Sequence, residues 1–233
     1  VLEIIKEELR EGASKQKAKD LARFFKTGPG GYAEGDKFLG VMVPQTRAVV
    51  KDYWKVITIE DVRILLASEF HEERLLALLF LVKKFEKASE ADKKIIFDLY
   101  LAKTEYINNW DLVDLTAPRI VGAYLYGRDE SIIYELAKSK SLWERRIAML
   151  ATFWFIGKGQ PEPALRVAEI LVNDKEDLIH KAVGWGLREI GKRCGQEAEE
   201  PFLLKYHKTM PRTMLRYAIE RFDVKKKNFY MGR

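Results

Sequence analysis

Two tryptophans stand where an indole and a charged side chain can act together. Trp110 opens the segment Asn109-Trp110-Asp111-Leu112-Val113-Asp114, and Asp114 follows it by four residues. Positions i and i+4 share one helix face, so the pair presents an aromatic plate and a carboxylate side by side. Trp185 lies in Lys181-Ala182-Val183-Gly184-Trp185-Gly186-Leu187-Arg188. Lys181 precedes it by four residues and Arg188 follows by three, which puts both cations on the indole's face of a helix. The glycines on either side are expected to clear space around that ring. Trp143 precedes Glu144-Arg145-Arg146. Aromatic rings beside cations on successive helices form the pattern that grips sugar and phosphate.

Plainer readings compete with each of these. Trp54 and Trp154 read as core side chains, the latter inside Ala151-Thr152-Phe153-Trp154-Phe155-Ile156. Trp143 suits either role. Asp114 also fits a buried carboxylate paired with Arg119 or with an adjacent repeat, since shifted acids occur in structural networks too. Other chemistries lack their residues. His71, His180 and His207 are scattered and show no metal-ligand spacing. Gly28-Pro29-Gly30-Gly31 lacks the Gly-Lys-Ser/Thr ending of a phosphate loop, and no serine sits in a nucleophile elbow. The reading therefore requires neither metal nor cofactor.

The elements that must position these side chains are helices. Apolar residues recur at helical spacing over 2–11, 15–26, 44–56, 59–68, 71–86, 89–106, 109–126, 130–139, 142–157, 162–173, 176–193, 197–208 and 211–222. Breaks fall at Thr27–Gly31, Gly127–Asp129, Gly157–Pro161 and Asn173-Asp174. Nothing alternates like a strand. A weak repeat relates Glu73-Arg74-Leu75-Leu76-Ala77-Leu78 to Arg145-Arg146-Ile147-Ala148-Met149-Leu150, two steps of about 36 residues apart. Helix pairs at that period predict an all-α, HEAT-like solenoid over 1–233, of about six pairs, with a concave face. A basic residue recurs in the first turn of a pair's second helix. Arg74 and Arg146 are the clearest cases, and such positions would make the concave face basic and suited to duplex DNA. The competing role for Arg74 is a salt bridge between repeats.

Composition sets the outer bounds. Of 233 residues, 47% are hydrophobic and 33% charged, which supports a sizeable core and excludes a mainly disordered chain. The single cysteine, Cys194, excludes an internal disulfide and a cysteine-rich zinc site. A net charge of +6 favours an anionic partner. The longest apolar run, Leu75 to Val82, is far short of the ~20 residues of a membrane span. The first ten residues read as an amphipathic helix and not as a signal peptide, and a cytoplasmic monomer is expected.

From about Leu2 to Phe222 the chain resembles the AlkD family of HEAT-like repeat DNA glycosylases. Four segments carry the likeness in order: Gly40-Val41-Met42-Val43-Pro44-Gln45-Thr46-Arg47, Asn109 to Asp114, Trp143 to Ala148, and Lys181 to Glu189. The resemblance implies excision of N3- and N7-alkylated purines from duplex DNA, by hydrolysis of the N-glycosidic bond. It implies that Asp114 is the catalytic aspartate, that Trp110 and Trp185 pack against the lesion's sugar and backbone, and that Arg146 lies at a phosphate. Arg188 and Lys181 are further phosphate-contact candidates. An alkylated purine carries positive charge and leaves readily, so a carboxylate near the sugar's growing cation can suffice without a general acid. The resemblance further implies that the base need not be flipped into a pocket.

Other functions stay open, because fold does not fix function. A helical-repeat scaffold can bind DNA without chemistry, or bind an acidic protein. Two stretches have no assigned role. The glycine-rich loop Thr27 to Lys37 carries Tyr32, Glu34, Asp36 and Lys37, and reads as a connector or a DNA-approaching loop. The basic tail 223–233, with Lys225-Lys226-Lys227, reads as a phosphate contact or a solvated end.

Overall fold

The computed structural model describes residues 1–232. Among them the secondary structure is helical, and the one β-type feature is an isolated bridge between Lys37 and Phe70. The chain divides into two compact units, Val1–Thr116 and the stretch from Ala117 onward.

The first unit holds α1 (Leu2–Glu11), α2 (Lys15–Phe24), α3 (Val43–Tyr53), α4 (Ile59–Leu66), α5 (His71–Phe85), α6 (Glu90–Ala102) and α7 (Trp110–Asp114). Its centre is α5. Every residue of this helix from His71 to Val82 is buried, as expected of a helix wrapped by neighbours on all sides. It packs against α3, α4, α6 and α7. The run Leu75–Val82 is thus the spine of this unit's core. Capping follows the sequence closely. Thr58 and Asp61 form a reciprocal box at α4, and the Ser89 hydroxyl accepts from the Asp92 amide at α6.

The second unit holds α8 (Ala123–Leu125), α9 (Ser131–Ala137), α10 (Leu142–Gly157), α11 (Glu162–Leu171), α12 (Asp177–Arg193), α13 (Gln196–Tyr206), α14 (Arg212–Ala218) and α15 (Val224–Met231). Helices α10, α12 and α14 begin at 142, 177 and 212, a spacing of 35 residues. α10 packs on α12 and α12 on α14, while α9 packs on α11, so alternate helices form two layers. α10 is the counterpart of α5, buried from Arg146 to Thr152.

Two segments differ from the sequence expectation. The helix expected over 109–126 is broken: α7 stops at Asp114 and a π-turn spans Pro118–Gly122. The carbonyl of Asp114 would pair with the N–H of residue 118, which is proline and has none, so the regular ladder ends there. The stretch read as a basic tail forms α15, capped by the Asp223 carboxylate and anchored by buried Tyr230. Its Lys226 is tied to Glu200 at 2.7 Å and to Gln196 at 3.1 Å.

Candidate functional site

In the first unit the site grows from the first turn of α5. Four consecutive polar residues, His71, Glu72, Glu73 and Arg74, are buried there, a costly arrangement unless each finds partners. Glu72 accepts the amides of Leu39, Gly40 and Val41 at 2.8–3.2 Å, which pins the chain just before α3. Gly40 is required there twice over: its φ is +84°, and a Cβ would lie 2.1 Å from the Ser14 carbonyl oxygen. Glu73 pairs with Arg10 of α1 at 2.8 Å.

His71 is only 2% exposed and bridges two carboxylates. Its Nδ1 lies 3.1 Å from Asp36 and its Nε2 2.8 Å from Asp111. Burial alone would lower its pKa. The hydrogen bonds to Asp111 and Asp36, with the attraction of both charges, outweigh burial and raise it to about 9. The ring is therefore an imidazolium at neutral pH, donating from both nitrogens, and it stacks on Phe38 with centroids 4.6 Å apart. Burial works against ionised Asp36, but His71 and Arg74 more than compensate and hold its carboxyl below the usual range. Arg74 gives one N–H to Asp36 at 2.7 Å and another to the Ser68 carbonyl at 3.0 Å.

This network carries the start of α7. Asp111, its anchor, neighbours Trp110, whose indole is half-buried on α2. Phe25 stacks on the indole at 5.3 Å and Phe24 meets it edge-on at 6.0 Å. The indole Nε1–H donates to the Tyr32 hydroxyl at 3.2 Å. Asn109 caps the helix, accepting from the Trp110 amide at 2.8 Å. Asp114, half-buried, closes the same short helix one turn on. Behind it Thr116 donates to the Leu112 carbonyl, so the 2.9 Å contact from Tyr100 is a phenol donating to Thr116. Burial pushes that phenol's pKa up, and the nearby Asp114 charge adds to the rise. Trp110 and Asp114 thus share a rigid, short helix, as their spacing predicts.

The second unit carries the other candidates. Arg146 is only 5% exposed on α10 and donates to the Leu178 carbonyl at the start of α12. Its neighbour Arg145 is locked on Asp174 at 2.7 Å. Lys181 pairs with Asp177 at 2.7 Å with 40% of its side chain exposed. Arg188 pairs with Glu220. Trp185 is half-buried and packs edge-on against Phe153, with centroids 4.7 Å apart.

Arg74 and Arg146 are both buried, each guanidinium against acceptors of its own unit, and the Arg74–Asp36 pair fits the salt-bridge role for Arg74. Two sequence readings are corrected by the structure. The glycines flanking Trp185 do not clear space around the indole. A Cβ on Gly184 would lie 2.4 Å from the Met214 carbonyl oxygen, and one on Gly186 would lie 2.1 Å from Met149 Cε, so both admit neighbouring helices. Trp54 and Trp154 are half-exposed and not core, with lysine ammonium groups over both rings.

Sequence reasoning missed His71, Asp36 and Asp111, and it left the 27–37 loop without a role. The loop supplies Tyr32 and Asp36 to the setting of Trp110. A polar quartet leading an apolar helix was the available signal, since such residues are buried only with partners. Among the described residues no group of three or more His, Cys, Asp or Glu could hold a metal ion, and no helix is long and apolar enough to cross a membrane.

An all-helical chain with an aromatic and a carboxylate on one short helix defines a class of scaffold, and comparison with known proteins gives the family. Residues 5–222 match the model of a family described as DNA alkylation repair enzyme. The chain belongs to that family, which assigns it a role in DNA alkylation repair. Among solved structures it is similar to a predicted DNA alkylation repair enzyme from Enterococcus faecalis. The identity there is 16% and the TM-score 0.69, over 91% of this chain and 97% of that one. It is also similar to AlkD2 from Streptococcus mutans, at 20% identity and TM-score 0.57, over 90% and 99%. The protein smu.31 from Streptococcus mutans UA159 is similar at 18% identity and TM-score 0.56, again over 90% and 99%. At these identities the likeness speaks for the fold alone. No curated protein matches the chain.

Proposed function

We propose that this protein is a monofunctional DNA glycosylase that releases cationic N3- or N7-alkylated purines from duplex DNA. The observation that carries the reading is the pairing of Trp110 and Asp114 on one five-residue helix in a chain of the alkylation-repair family. That helix is held from behind by the His71 bridge and from the side by Phe25 and Tyr32. A fixed carboxylate needs no reorganisation when charge develops before it.

The chemistry follows from the substrate. The glycosidic bond breaks with its electron pair going to the cationic purine, which leaves neutral. Positive charge grows on the sugar, and the Asp114 carboxylate stabilises it electrostatically. Water adds to the anomeric carbon and loses a proton, and the products are a free base and an abasic site. The face of Trp110, on the same helix as Asp114, adds cation-binding surface worth ~0.5–2 kcal/mol. Lys181 and Arg188 serve phosphate contacts by exchanging their carboxylate partners for the backbone. Arg146 supports them by fixing the first turn of α12.

The test is release of free base from a methylated duplex in the absence of added metal. The reading expects free 7-methylguanine and an intact strand bearing an abasic site, with no adduct trapped by borohydride. DNA binding without base release would overturn it in favour of a non-catalytic DNA-binding scaffold.

A further inference from the structure

A concave site lies in the first unit, built from α5, α6 and the turn that joins them, with Trp54 after α3 and Ile59 of α4. Its cavity, of about 280 Å³, is lined by Trp54, Ile59, Lys84, Lys87, Asp92, Ile95 and Ile96 with Ala88. The floor and walls are apolar, and Ile95 is half-exposed there. The charge within it is uneven. Asp92 is engaged at the start of α6, where it accepts from the Ser89 hydroxyl at 2.7 Å. Lys84 and Lys87 have no acidic partner among the described residues. Lys55 and Lys83 stand over the Trp54 ring, each 5.8 Å from its centroid. Lys83 also reaches Glu86 at 3.3 Å, whereas Lys84 and Lys87 line the cavity as two cations against the single carboxylate of Asp92 and form no ion pair with it.

We infer that this cavity binds a small organic anion, an aromatic ring bearing one carboxylate or phosphate group. The ring lies against Trp54, Ile95 and Ile96, and the anionic group is held by Lys84 and Lys87. Both halves of the ligand are needed. An inorganic anion leaves the apolar walls uncovered, and a neutral ring leaves the two ammonium groups unpaired. Convergent polar groups on a mainly apolar concavity are the usual signature of a small-ligand site. Burial lowers the pKa of Lys84, so an incoming anion would recover the favourable environment that its charged form has lost. This site rests on none of the residues assigned to base excision.

Phenyl phosphate is the probe, with phenol as its uncharged counterpart, and binding is followed by NMR at the Trp54 indole N–H of the full chain. Saturable binding of phenyl phosphate is expected, with phenol weaker by about tenfold or more. Lys84→Met keeps the aliphatic stem and should weaken phenyl phosphate by a similar factor while leaving phenol unchanged. Lys87→Met should act in the same direction, which keeps the test alive if the first variant is unstable. Absence of a saturable shift at Trp54 would overturn the inference, as would equal affinity for phenyl phosphate and phenol. Displacement of phenyl phosphate by an undamaged DNA duplex would also overturn it, assigning the lysines to nucleic acid instead.

Discussion

Replacing His71 by glutamine removes the charge that two buried carboxylates share, and the consequence depends on pH in a defined direction. In the folded chain the imidazole's pKa stands at about 9, because the bonds to Asp111 and Asp36 overcome the burial that opposes its charge. In the unfolded chain it returns to about 6.5. The folded state therefore holds the proton more tightly, and folding is favoured most below the unfolded value. Between about pH 6.5 and pH 9 the folded ring stays protonated while the unfolded one does not, so stability falls as pH rises. At 1.36 kcal/mol per unit, the interval corresponds to about 3 kcal/mol, lost by the time pH passes the folded value. Equilibrium urea unfolding of wild type and His71→Gln, run side by side across that range, isolates the effect. Titrating groups remote from this bridge cancel in the difference. The gap between the two proteins should narrow by about 3 kcal/mol from pH 6.5 to above pH 9. Parallel curves would refute the assignment of His71 as a shared imidazolium, and with it the account of how α7 is held.

Further outcomes follow from the second unit. Gly184→Ala should destabilise by about 2–3 kcal/mol because its Cβ meets backbone, whereas Gly186→Ala meets the mobile end of Met149 and should cost about 1 kcal/mol or less; equal shifts in thermal unfolding would contradict this. Burial, with a smaller push from Glu200 against Lys226, raises the Glu199 pKa to about 8, so it contributes stability fully below its ordinary value and loses it as pH rises through 8. Glu199→Gln should therefore remove part of the alkaline fall in stability, measured as the urea midpoint at about pH 6 and pH 9. If Lys181 contacts phosphate, Lys181→Ala should reduce the slope of log affinity against log salt by about one, measured by fluorescence anisotropy on duplex DNA; an unchanged slope would remove it from the interface.

Most of the helices were readable from sequence because strong local signals agree with the packing. Breakers sit at Gly127 and Gly159, where the backbone needs positive φ. The long apolar helices at 71–85 and 142–157 fall where the periodicity puts them. The break within 109–126 was harder to see, since Leu112, Val113, Ile120 and Val121 keep a helical apolar rhythm across it. Pro118 was the clue, as a residue that ends the ladder at Asp114. Of the site, the Trp110–Asp114 pairing was legible because it is local to one turn. The bridge from Asp36 through His71 to Asp111 was not, because its partners are 35 and 40 residues apart and nothing local marks them. The glycines beside Trp185 misled for a related reason: the sequence marks that space is needed but not which neighbour takes it.

The role proposed for the Asp114 carboxylate is to stabilise the sugar cation formed as an alkylated base departs. Single-turnover release of 7-methylguanine from duplex DNA by wild type and Asp114→Asn, with DNA affinity measured in parallel, tests it most directly. A fall of ~10²–10³-fold in rate at unchanged affinity is the predicted result. Wild-type rates in Asp114→Asn would contradict the claim and move the chemistry away from α7.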